Sequence, residues 1–169
     1  MPARWSAPWL WKTVRRQSKH RKRRPRRCLR STSEKAVGKR EKLLASIEQE
    51  LTIHTRIEEE IFYPAFRDAA RKKDDGKLYF EALEEHHVVD MVLPEIKSAD
   101  VESEQFAAKA KVLKDLVEHH AEEEETEMFP RARKLMTHDE LLRLGAEMTR
   151  LKESMTRGLV GRLAGLVGA

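Results

Sequence analysis

The chain has 169 residues, 40% hydrophobic and 37% charged, which suits one water-facing, mostly helical domain with an adequate core. Its single cysteine, Cys28, excludes an intramolecular disulfide and any cysteine-rich zinc or iron–sulfur site, and no apolar run approaches the ~20 residues that span a bilayer. The net charge of +5 is unevenly placed: residues 1–30 hold 12 of the 34 Lys and Arg and no acid, so the remaining 22 face 29 acids and the body carries −7.

In chain order, residues 1–30 form a basic N-terminal segment with all three tryptophans and the run Arg21-Lys-Arg-Arg-Pro-Arg-Arg27. It reads as a disordered tail or an aberrant first helix, able to touch nucleic acid weakly through phosphates. Trp5 to Trp11 is too short and interrupted for a signal peptide. Residues 31–169 form the helical domain. Ser33 is placed to cap a helix from Glu34 or Lys35 that carries Leu43, Ile47, Leu51 and Phe62 and ends or kinks at Pro64 or shortly beyond. Lys72-Lys-Asp-Asp-Gly76 predicts a break, and a helix from about Lys77 runs until Pro94 disturbs it. After a loop at Ser98–Ser103 comes a helix from about Glu104 to Pro130. Thr137-His-Asp-Glu140 is a capping-box pattern that opens a last amphipathic helix, with Leu141, Leu144, Met148, Leu151 and Met155 on one side.

One stretch occurs twice. His54-Thr-Arg-Ile-Glu58-Glu-Glu-Ile-Phe-Tyr-Pro64 returns 66 positions later as His120-Ala-Glu-Glu-Glu124-Glu-Thr-Glu-Met-Phe-Pro130. Ile47, Leu51, His54, Glu58 and Phe62 fall on Leu113, Val117, His120, Glu124 and Met128, so each copy sets a histidine and a carboxylate into the apolar stripe of a helix. A charge on such a stripe costs several kcal/mol unless it is paired or bound to metal. Residues four apart on a helix stand roughly 5–6 Å from each other, so His-x-x-x-Glu can offer a nitrogen and an oxygen to the same or adjacent cations. Two such pairs on facing helices would begin a site for two metal ions.

Between the copies, the helix around His86 and His87 adds a candidate. The repeat offset favours His86, which falls on His20, with Asp90 four residues on as a further ligand or supporting acid. His87, His119 and His138 read as structural or surface residues. Glu59, Glu60, Glu122, Glu123 and Glu125 read as solvated acids that give the site a negative field.

These residues resemble the hemerythrin-like HHE cation-binding domains. Glu50-Leu-x-x-His54-x-x-Ile-Glu58-Glu-Glu-Ile-Phe-Tyr-Pro64, Glu85-His86, and His120-x-x-x-Glu124 followed by Met-Phe-Pro130 match that family's successive motifs in order, over about residues 34–135. The resemblance implies an all-α fold: an antiparallel four-helix bundle, here with an extra C-terminal helix. It implies a centre of two non-haem irons, with His54, His86 and His120 as terminal ligands, Glu58 and Glu124 as bridges, and a first-helix histidine at the position of His20. The chain departs from the pattern there, since Lys19 precedes His20 where an acid is usual, and Arg and Pro follow where a core helix needs aliphatics. A divergent or lost first helix is one account, and translation of residues 1 to about 30 in the wrong frame is another.

Imidazole with carboxylate suits iron, manganese or zinc. The leading functional expectation is a cytoplasmic protein, monomeric or dimeric and off the membrane, that binds dioxygen or nitric oxide, or stores or delivers iron. The second is an enzyme that decomposes hydrogen peroxide, ranked lower because the sequence shows no obvious proton donor at the site. The third is a metal-free helical interaction module.

Overall fold

A computed structural model describes residues 34–167, with side chains described from 37 to 158. His20, the basic run and the Ser33 cap lie outside the described residues. The described chain is all helical: α1 (Glu34–Ile57), α2 (Tyr63–Ala69), α3 (Lys73–Ser98), α4 (Glu104–Glu123), α5 (Phe129–Leu135) and α6 (His138–Val167). Single π-helical turns join α1 to α2 (Glu58–Phe62) and α4 to α5 (Glu124–Met128). From Gly38 and Glu104 onward, the helices and turn of one copy thus reappear in the other at the same 66-residue offset, up to the ends of α2 and α5.

Pro64 and Pro130 sit just inside α2 and α5, so the helical run ends shortly beyond Pro64, at Ala69, as expected, while the second continues past its expected end at Pro130 to Leu135. A proline in mid-helix lacks an N–H and its ring presses on the carbonyl four residues back. Here the preceding turn widens, so that the Tyr63 N–H reaches the Glu58 carbonyl and the Phe129 N–H reaches that of Glu124, each five residues back. The extra residue per turn absorbs the clash and lets the helix continue.

Two apolar clusters fill the interior. Leu51 of α1, Val89, Leu93 and Ile96 of α3, and Leu113, Val117 and Ala121 of α4 pack together at one end. Phe62, Tyr63, Phe66, Ala82, Met128, Phe129, Ala132, Met136 and Leu141 pack at the other. Phe62 and Phe66 are buried almost completely, and truncating either to alanine removes about 3–5 kcal/mol. The histidines and glutamates of the repeat lie between the two clusters.

Side-chain caps open two helices, at Thr137 as the sequence predicts and at Ser103, which the sequence reading leaves in a loop. Ser103 Oγ accepts the Phe106 N–H at 3.0 Å, and Thr137 Oγ1 accepts the Glu140 N–H at 3.3 Å while Glu140 Oε2 accepts the Thr137 N–H at 2.7 Å. Two boundaries differ from expectation. α3 begins at Lys73, so Gly76 lies inside it, and the cause is Asp75: its buried carboxylate accepts the backbone N–H groups of Arg71 and Lys72, both at 3.0 Å. Arg131 of α5 adds Nη2 at 3.1 Å, and these bonds hold the Asp75 carboxyl at about 2. α3 also runs through Pro94 to Ser98; Pro94 and Asp90 both face solvent, so the carbonyl that the proline leaves unpaired is open to water.

α6 lies over the second cluster through Leu141, Leu144 and Met148, and runs back along α1 to bring Lys152 near Glu50. It covers the bundle, as its stripe predicts.

Candidate metal centre

Across α1, α3 and α4 the stripe positions converge. His54, Glu58, His86 and His120 are each at most 4% exposed and can each offer a ligand atom within 4.8 Å of the others. His54 Nδ1 lies 3.1 Å from Glu58 Oε1, and His86 Nε2 lies 3.4 Å from Glu58 Oε2 and 3.1 Å from His120 Nε2. Glu124, 2% exposed, joins them with Oε2 at 3.7 Å from His120 Nε2. Asp90 does not join the group and is exposed, as are His87, His119 and His138.

The imidazoles are aimed by carboxylates behind them. His86 Nδ1 donates to Glu59 Oε1 at 2.9 Å and His120 Nδ1 donates to Glu85 Oε2 at 2.7 Å. An ionised carboxylate only accepts, so each Nδ1 carries the hydrogen and each Nε2 turns its lone pair inward. Glu59 is therefore not simply a solvated acid, and Glu85 acts beside it. Neither is visible to periodicity, because each acts across helices and not along one.

Two lone pairs at 3.1 Å repel unless a proton or a cation stands between them. In the metal-free protein a proton takes that place: burial works against charge on His120, but the carboxylates of Glu58, Glu85 and Glu124 outweigh it and push the imidazole to about 10. His54 moves the other way, lowered by burial. The two glutamates also part. Both suffer from burial, yet the charge of His54 and the hydrogen bonds from the three histidines hold Glu58 well below the usual carboxylate range. Glu124, with Glu58 as a like charge beside it, is raised well above that range. Close packing therefore raises Glu124 alone of the two.

Tyr63 was not among the residues expected at the site. Its hydroxyl donates to Glu124 Oε1 at 3.1 Å and lies 3.4 Å from Glu58 Oε2 and 3.3 Å from His86 Nε2. Burial and the two glutamates push the phenol well above its ordinary value, so it keeps its proton at neutral pH. In the repeat Tyr63 aligns with Phe129, which makes it look like one more apolar position.

A metal ion fits this donor set on two counts. The residues are imidazole and carboxylate, held by outer acids in the manner of metal-ligating histidines. Glu124 Oε2 is buried and accepts no hydrogen bond from the described residues, an arrangement that costs about 1–3 kcal/mol and that a cation would relieve.

Comparison with known proteins agrees with the geometry. The model of the hemerythrin HHE cation binding domain matches residues 15–132. A solved structure of a hemerythrin HHE cation binding domain-containing protein from Mycobacterium kansasii superposes with a TM-score of 0.69 over 93% of this chain and 88% of that one, at 24% identity. A protein of Nostoc sp. named a DNA nickase is 27% identical over 119 residues, which are 70% of this chain and 33% of that protein. The chain spans about a third of that relative's length.

Proposed function

The chain belongs to the hemerythrin HHE cation-binding domain family, and from that premise we propose that it holds two non-haem irons through His54, His86, His120, Glu58 and Glu124, with His20 as a further ligand. The observation that carries this reading is the facing pair of imidazole nitrogens, each aimed by a carboxylate, beside a buried glutamate oxygen that accepts no hydrogen bond from the described residues. Glu58, approached by histidines of three helices, and Glu124, approached by His120, would be the bridging carboxylates. The irons, when bound, supply reversible binding of dioxygen or nitric oxide, and redox chemistry toward peroxide. The surrounding chain excludes bulk water through Phe62, Phe66 and Met128 below and Leu51, Leu113 and Val117 above. The setting in this reading is cytoplasmic; among the described residues no helix is long and apolar enough to cross a membrane.

Oxygen or nitric oxide binding, or iron storage and delivery, is the first assignment. Decomposition of hydrogen peroxide is the second, and Tyr63 specifically favours it. The proton donor that the sequence lacked is this hydroxyl, protonated at neutral pH and within 3.4 Å of three candidate ligands. Metal analysis of the purified protein with a visible spectrum tests the common core. The reading expects about two irons per chain if a first helix supplies His20, and fewer if it does not. A colourless protein that takes up no iron under anaerobic reconstitution would refute it. Repeated oxygen evolution from peroxide would then select the enzyme over the carrier.

A further inference from the structure

Just outside the buried group lies a second constellation. His119 of α4 is 63% exposed, and its Nε2 stands 3.5 Å from Glu85 Oε1 and 3.4 Å from Glu123 Oε1. The three side chains can present ligand atoms all within 4.8 Å of one another. Glu85 is shared: one oxygen faces His119 while the other holds His120 Nδ1 at 2.7 Å. Glu81 and Glu84 line the same surface hollow as this trio, and of these Glu81 is partly neutralised by Lys77 at 3.0 Å.

Two observations separate this cluster from an ordinary acidic surface. The first lies behind it: Glu85 and Glu123 also wall a small cavity with Leu78, Ala82, Met128, His120 and Glu124, and Glu124 Oε2 is buried and accepts no hydrogen bond from the described residues. Glu85 and Glu123 thus border both the surface hollow and the small cavity that reaches the buried centre. The second comes from the repeat. The positions of His119 and Glu123 are filled in the other copy by Ile53 and Ile57, each 2% exposed, which close that side with hydrocarbon. The duplicated helices differ where one is sealed and the other opens.

We propose that Glu85, His119 and Glu123 form an outer divalent-cation site through which metal passes to the buried centre by way of Glu124. One imidazole and two carboxylates suit a borderline or hard divalent ion such as Fe2+, Mn2+, Co2+ or Zn2+. Exposure of His119 makes the site weak and exchangeable, which is what an entry point needs. The role as an entrance rests on the buried metal centre proposed above; the outer site itself does not.

The test uses the full chain, both iron-filled and stripped of metal, with Mn2+ as the probe and the free-ion EPR signal as the readout. One Mn2+ per chain should bind beyond the buried complement. His119→Ala and Glu123→Gln should weaken it by roughly tenfold or more, the scale on which even indirect partners change metal affinity. In both variants iron uptake by the stripped protein should slow by a similar factor while the final iron content stays at the wild-type value. No Mn2+ beyond the buried complement, or equal Mn2+ affinity in both variants, overturns the outer site. Weakened Mn2+ binding with an unchanged rate of iron uptake overturns its role as an entrance. If the stripped protein takes up no iron at all, yet binds Mn2+ in a manner lost in His119→Ala, the outer site stands and the di-iron reading falls.

Discussion

Among the described residues, three imidazoles and a phenol crowd the carboxylate at position 58; at position 124, in the same register of the equivalent π turn, the carboxylate meets that phenol at 3.1 Å and one imidazole at 3.7 Å. Backbone and helix face are repeated, but the environment is not. Glu58 is ionised and paired, whereas Glu124 is raised toward its neutral form by burial and by Glu58 itself. A duplication can therefore preserve geometry while dividing a charge unequally: two buried carboxylates with too few partners cannot both ionise cheaply.

The sharpest way to break this comparison is to remove each glutamate from the metal-free protein. Glu58→Ala leaves the raised His120 without its central counter-charge and should cost about 3–5 kcal/mol of folding stability, as loss of one partner of a buried pair does. Glu124→Gln should be nearly neutral, because the amide resembles the uncharged carboxyl that burial and Glu58 already favour. Denaturant unfolding of the two stripped variants decides; equal losses would mean that the halves are equivalent in charge as well as in shape.

A contact with no counterpart in the repeat comes next. Asp75 and Arg131 fall, by the offset, on Leu141 and Ala65, so this ion pair ties the two copies together on one side alone. Because the folded-state carboxyl is held at about 2 against 3.8, its stabilisation is fully present above pH 3.8 and is lost as the pH falls toward 2. About 1–2 kcal/mol is at stake, the partly exposed edge of Arg131 screening some of the effect. Asp75→Asn should lower stability by that amount at pH 7 and flatten the wild-type decline between pH 4 and 2, measured by thermal melts across that range. An unchanged slope would assign the acid response to other groups.

Tyr63→Phe, which makes the first copy match Phe129 of the second, should cost the fold only about 1 kcal/mol. Iron content should hold. Under the enzyme reading, oxygen evolution from peroxide should fall in this variant, and full retained turnover would rule out the phenol as the proton donor.

Much of this was legible because the repeat is written in helical periods. The spacing of Ile47, Leu51, His54, Glu58 and Phe62 set the stripe, and the offset placed His120 inward and His119 outward, as their burial now shows. The same offset chose His86, which is buried, over His87, which is exposed. What escaped were contacts made between helices. Glu59 and Glu85 look like surface acids along their own helices and reveal their task only against His86 and His120. The helical run through Pro64 ends shortly beyond it, at Ala69, as expected, whereas the one through Pro130 continues to Leu135, because a wide preceding turn accommodates the proline.

The most direct test of the central claim, that the two copies are halves of one metal centre, is iron content after anaerobic reconstitution of Glu58→Ala, Glu124→Ala, His54→Ala and His120→Ala, with His119→Ala as the control. A bridging carboxylate touches both ions, so either glutamate change should empty most of the centre, each histidine change should cost mainly one ion, and the control should keep the wild-type content. If each glutamate variant loses only its own half, or if His119→Ala loses as much iron as His120→Ala, the shared centre described here is wrong.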